Sequence, residues 1–206
     1  MTDEVRSTTL GDVCRTYSGG TPSRSNALFF QGAIPWIKSG EVNQRFVHCT
    51  EEKISEEALN SSSAKMVSPE TILIALYGAT AGKVGISRIE AAINQAILAV
   101  VPDTNLVDPT YCFYACDFAM QHTIRHVQGG QPNLNAEIVR GARLFLPPKP
   151  QQHKIAEILT CWDKAIELVE RLIEEKKSFK RAVAARMIRR FNAEKLPEYA
   201  LGDLFQ

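Results

Sequence analysis

Between Gln151 and Phe191 the chain contains neither glycine nor proline, and its apolar residues return at alternating spacings of three and four. Ile155, Ile158, Trp162, Ala165, Val169, Leu172, Phe179 and Val183 form the stripe, with Lys176 as its polar interruption. Leu159, Ile166, Ile173 and Met187 widen it on one side. A heptad seam kept over about four repeats specifies a long helix that pairs with another helix. At about 1.5 Å per residue this one reaches roughly 60 Å, more than the diameter of a domain from a chain of this length. Much of the stripe must therefore meet a helix from this chain or from a second one. Ile155, Ile158, Trp162, Ile166, Val169, Leu172, Phe179 and Val183 are the expected pairing residues. The start is set by Leu146-Pro147-Pro148-Lys149-Pro150, because proline forbids helix ahead of it yet is tolerated in a first turn.

Ahead of that break, short apolar runs are punctuated by turn residues, the pattern of strands. Expected strands are Ile34–Lys38, Thr71–Tyr77, Val84–Ser87, Ala96–Val101 and Arg143–Leu146. Glu56–Leu59 and Pro109–Arg125 read as helices, the second with Asp108 as its cap and Pro109 at its first position. The expected fold class is α+β: a mixed, strand-rich domain over residues 1–148, then a long coiled-coil-forming helix over 149–192. Residues 193–206 read as a linker and the start of a second repeat, because Leu201-Gly202-Asp203-Leu204 echoes Leu10-Gly11-Asp12-Val13.

Several chemistries find no support. Gly78-Ala79-Thr80-Ala81-Gly82-Lys83-Val84 resembles a phosphate-binding loop. It has three residues between its glycines where four are needed, and valine where magnesium requires Ser or Thr. Cys112, Cys116, His122 and His126 are spread along one expected helix, with Cys112 and His126 about 21 Å apart on its axis, so one zinc ion cannot collect them. Packed cysteines and surface histidines are expected instead. No nucleophile elbow or dinucleotide turn occurs. Glu51, Glu52, Glu56 and Glu57 read as solvated charges. The five cysteines are odd in number and scattered, which fits a reducing cytosol rather than a disulfide framework. The N-terminal segment lacks the apolar core of a signal peptide, and no apolar run reaches the roughly 20 residues of a membrane span. The expected location is cytoplasmic, with no catalytic residues and no metal site.

Four segments are rich in glycine and small polar residues: Ser18–Arg24, Lys38–Glu41, Tyr77–Lys83 and Gly129–Asn135. Glycine admits close approach of backbone amides, Ser, Thr, Lys and Arg suit phosphate oxygens, and Asn, Gln and Arg suit base edges. The candidate DNA-contacting residues are Thr21, Ser23, Arg24, Lys38, Ser39, Tyr77, Thr80, Lys83, Gln131 and Asn133, expected on one face. The net charge of +1 makes no general case for nucleic acid, so local distribution has to carry it.

In order, Leu10-Gly11-Asp12-Val13, Ser18-Gly19-Gly20-Thr21-Pro22-Ser23-Arg24, Ile34-Pro35-Trp36-Ile37-Lys38-Ser39-Gly40-Glu41, Tyr77 to Gly85, Ile93-Asn94-Gln95-Ala96-Ile97 and Gly129 to Asn135 resemble a target recognition domain. The family is the specificity subunits of type I restriction-modification systems. Leu146 to Leu159 is similar to the start of that family's spacer helix, departing from it at Lys149-Pro150-Gln151-Gln152, where an apolar residue and Pro-Glu-Gln are usual. The resemblance implies double-stranded DNA as the ligand and methyltransferase subunits docked on the helices. It also implies restriction subunits recruited through the methyltransferase, with S-adenosylmethionine, ATP and magnesium held by those partners and no cofactor by this chain. A full subunit has two recognition domains and two antiparallel helices. One domain and one helix imply a half-subunit or a fragment, and a homodimer through the helix is expected. A stand-alone nuclease or methyltransferase, and an assembly scaffold that binds no DNA, are the rival readings.

Overall fold

The computed structural model of the chain describes residues 4–126 and 133–193. Its elements run β1 (Arg6–Thr9), α1 (Leu10–Val13), β2 (Cys14–Ser18), β3 (Ile34–Ile37), β4 (Phe46–Val47), β5 (Glu52–Ile54), α2 (Glu56–Asn60) and β6 (Lys65–Val67). They continue with β7 (Ile72–Ala75), β8 (Val84–Ser87), β9 (Ala91–Ile93), β10 (Ile97–Pro102), α3 (Pro109–His126), α4 (Ala136–Arg140), β11 (Arg143–Leu146) and α5 (Lys149–Ala193). Short 3-10 helices cover Ala27–Phe30 and Ser39–Gln44. The expected α+β class is what the chain adopts.

The strands form a five-stranded sheet in the order β2-β10-β7-β8-β4, a four-stranded sheet β5-β3-β9-β6 and a β1-β11 pair. Alternation along each strand explains the layering, since successive side chains leave opposite faces. Ile72, Ile74, Leu98 and Val100 join one core cluster with Cys112, Phe113, Cys116 and Met120 of α3. Their sequence neighbours Leu73, Ala75, Ile97 and Ala99 join a second cluster with Ile37 and Ile93 of the other sheet. The five-stranded sheet is thus buried on both faces, which is why β7 and β10 read as nearly unbroken apolar runs. The outer face of the second sheet buries Trp36 and Ala92 with Ile54, Ala58 and Ala64.

Asp108 caps α3, accepting from the Tyr111 amide at 2.8 Å. Gln152, in the first turn of α5 and only 2% exposed, accepts from the Asp108 amide at 2.9 Å and donates to the Pro147 carbonyl at 2.8 Å. One glutamine therefore ties the start of α5 to the start of α3. The chain divides into two compact units, Met1–Glu157 and Ile158–Gln206, so the opening turns of α5 belong with the sheets.

Candidate nucleic-acid interface

β3 and β9 run parallel, with Ile37 opposite Ile93, so the segments that follow them leave the sheet on the same side. The Asn94 amide donates to the Ile37 carbonyl at 3.2 Å, and the Gly20 amide donates to the Ile93 carbonyl at 3.1 Å. A Cβ on Gly19 would overlap the backbone of Ile93, so glycine is what lets the Ser18–Arg24 segment lie against this edge. Thr21 then donates its hydroxyl to Gln95 Oε1.

Lys38 and Ser39 follow β3 directly. Glu41, 6% exposed, accepts from the amides of Lys38 at 2.7 Å and Glu51 at 2.8 Å, fixing the turn. The Lys38 ammonium donates to Glu51 at 3.0 Å and Glu52 at 2.9 Å. Arg24 donates to the same Glu52 through Nη1 at 2.7 Å and Nη2 at 3.3 Å. Its guanidinium lies 4.2 Å from the Phe30 ring centroid and 5.2 Å from that of Trp36. Arg24, and after it Lys38, hold the Glu52 carboxyl below the ordinary carboxylate range, and Glu52 followed by Glu51 raises the Lys38 ammonium. Glu52, 29% exposed and paired with two cations, is therefore not the simple solvated charge expected from the sequence, whereas the Glu51 side chain is 77% exposed. β5 pairs antiparallel with β3 and sets Glu52 opposite Trp36, and no periodicity in the sequence signals that pairing. Ser23 pairs with Ser25, hydroxyl to hydroxyl, at 2.7 Å.

The Tyr77–Lys83 segment turns between β7 and β8. Its amides are used internally: Ala81 donates to Gly78, Lys83 to Thr80 and Gly82 to Ala75. That arrangement is a tight turn and not an open anion cradle, in keeping with the mismatched spacing. Gly82 has φ +76°, and a Cβ there would overlap the Ile124 side chain. The Thr80 hydroxyl donates to the Ser39 carbonyl at 3.1 Å. Tyr77 forms an antiparallel bridge with Asn133, and the Leu134 amide donates to the Leu76 carbonyl at 2.7 Å. Lys83 is exposed, and its ammonium has no partner among the described residues.

Contacts therefore link Arg24 and Lys38 through Glu52, Ser39 with Thr80, and Tyr77 with Asn133, these groups being joined to one another only along the chain, and Thr21 is attached to Gln95 beside Asn94. Gln131 lies outside the described residues. Glu41 and Gln95 take part as well, both from within motifs named above, and Glu52 takes part as an ion-pair partner.

The remaining candidates have other surroundings. Cys112 Sγ lies 3.5 Å from Cys14 Sγ and 4.0 Å from Cys116 Sγ, all three buried in the core as free thiols. The contact with Cys116, helped by burial, pushes the Cys112 thiol well up against the opposing effect of Cys14, and the contact with Cys112 raises the Cys14 thiol. Buried neutral thiols of this kind are packing groups. His122 is exposed and its ring lies 4.6 Å from that of Phe118. On α5, every expected pairing residue is exposed, from Ile155 at 38% to Phe179 at 68%. Among the described residues no helix is long and apolar enough to cross a membrane.

Residues 2–177 match the family model described as the type I restriction modification DNA specificity domain. The chain is similar to the EcoR124I/EcoR124II specificity subunit of Escherichia coli, with 28% identity over 167 residues, covering 78% of this chain and 41% of that protein. Its fold resembles a chain from a structure of the type I R-M system concerned with complex assembly and conformational transition (TM-score 0.66, 17% identity, 89% of this chain and 44% of that one). It also resembles the HsdS subunit from Thermoanaerobacter tengcongensis (TM-score 0.61, 18% identity, 81% and 39%). The chain spans less than half the length of these relatives.

Proposed function

Because the chain belongs to the family of type I restriction modification DNA specificity domains, we propose that it reads a short DNA sequence for a restriction-modification complex and performs no chemistry of its own. The observation that supports this reading is the set of polar contacts between segments far apart in sequence, Arg24 and Lys38 through Glu52, Thr80 with Ser39, and Tyr77 with Asn133. Methylation and ATP-driven cleavage would belong to methyltransferase and restriction subunits, which bring S-adenosylmethionine, magnesium and ATP. The setting is the cytoplasm.

The exposed seam of α5 supports the second part of the reading, a two-fold dimer of antiparallel helices. Trp162 is 66% and Phe179 68% exposed in the single chain. Burying a side chain of this size is worth about 1.5–3 kcal/mol, so a partner helix removes a large liability. A two-fold axis uses the same patch on both copies and sets two recognition domains in opposite orientation. The target would then be an interrupted palindrome.

The test is DNA binding by the full chain together with its methyltransferase subunit, with methylated positions mapped in cells carrying the system. Sequence-selective binding and methylation at a two-part palindrome are expected. Turnover of S-adenosylmethionine, or magnesium-dependent cleavage, by the chain alone would overturn the non-catalytic reading. An intact complex without DNA selectivity would favour a scaffold.

A further inference from the structure

Arg24 has an unusual combination of constraints for an exposed arginine. Glu52 engages one hydrogen from each terminal nitrogen, the end-on fork. The aromatic rings of Phe30 and Trp36 sit against the guanidinium. A guanidinium has five N–H donors and a second, lateral fork made by Nε and the adjoining terminal nitrogen. Among the described residues that lateral fork has no acceptor. The Arg24 side chain is still 55% exposed while its guanidinium is held on its distal edge.

Two features decide what such a fork suits. Arg24 and Lys38 face Glu51 and Glu52, two cations against two anions, so an incoming phosphate meets no local excess of positive charge. A phosphate would also compete with Glu52 for the same cation. A base edge carries no net charge and meets neither obstacle. The lateral fork presents two parallel donors, and in the major groove guanine alone offers two adjacent acceptors, O6 and N7. Adenine pairs an acceptor with a donor, and thymine and cytosine offer a single polar group each. Holding the guanidinium in place beforehand also lowers the ordering cost of docking it.

We infer that Arg24 reads a guanine through its lateral fork, and that Glu52 is the positioning residue that aims it. The inference rests on the DNA-reading function proposed above and names one base of its target. Glu52 touches no base in this arrangement; it acts through Arg24.

The experiment uses the full chain with its methyltransferase subunit and a pool of duplexes randomised across the site, at one fixed salt concentration. Arg24→Lys keeps the charge and removes the fork. It is expected to erase preference for guanine at one position of each half-site, by about 5- to 150-fold, while other positions keep theirs. Glu52→Gln is expected to weaken preference at that same guanine and nowhere else. Far-UV circular dichroism checks that both variants are folded. Retained guanine preference in Arg24→Lys overturns the inference. So does a uniform loss across all sequences with a salt slope reduced by about one, which marks a phosphate contact. Unchanged selectivity in Glu52→Gln overturns the positioning role. A wild-type complex that selects no sequence at all overturns the DNA-reading function itself, a failure distinct from a selective complex indifferent to Arg24.

Discussion

Thr80 donates its hydroxyl to the carbonyl oxygen of Ser39 at 3.1 Å, joining the turn after β3 to the turn between β7 and β8. Thr80→Val keeps the shape and removes the donor. Loss of one such bond costs about 0.5–1.5 kcal/mol, read as a lowered urea midpoint with unchanged slope. Weaker DNA binding should accompany it, because Lys38 and Tyr77 would no longer be held in register. Full DNA affinity alongside reduced stability would show that the two turns act independently.

Lys83 is exposed and unpaired among the described residues, in contrast to the carboxylate-bound Lys38. Lys83→Ala should weaken binding to all duplexes about equally and reduce the salt slope by about one, as a phosphate contact requires. Titrations of specific and scrambled duplexes across a range of salt measure both. A loss confined to one sequence would make Lys83 a base reader instead.

Gln152 is buried and satisfies both the Asp108 amide and the Pro147 carbonyl. Gln152→Leu keeps the bulk and orphans both groups. The expected loss is about 1–3 kcal/mol for each group left without a partner. Thermal unfolding gives the total, and amide exchange should show the excess opening at Asp108. A melting temperature equal to wild type would mean that water replaces the glutamine without penalty.

Trp162→Asp combined with Phe179→Asp puts two charges into the seam of α5, where both side chains are exposed in the single chain. Sedimentation equilibrium should change from dimer to monomer. Binding to paired half-sites should fall, and binding to one half-site should survive. A monomeric wild-type protein at micromolar concentration would refute helix-mediated dimerisation.

Some of this fold is legible from local pattern. Asp108 and Pro109 mark the start of α3, and β7 and β10 are apolar runs of recognisable length. β4, β5, β6 and β9 went unseen because two or three residues are too few to establish a period. Those short strands matter for the site. β5 carries Glu52 to Arg24 and Lys38, and β9 aligns Asn94 and Gln95 with the exit of β3.

The long helix, its proline-set start and its apolar seam follow from the order of residues alone. Each depends on contacts within a few residues, and a repeat of three and four is visible without knowing the partner. The family resemblance was also legible, in the order of the motifs. Which loop residues meet, which cations are already neutralised and which edge of Arg24 is engaged by Glu52 follow only from the folded arrangement. Arg24, Lys38 and Glu52 lie on separate segments, and their electrostatics exist only once β3, β5 and β9 have paired. Strand pairing depends on partners distant in the chain, and a side chain's charge state follows from what those partners bring beside it.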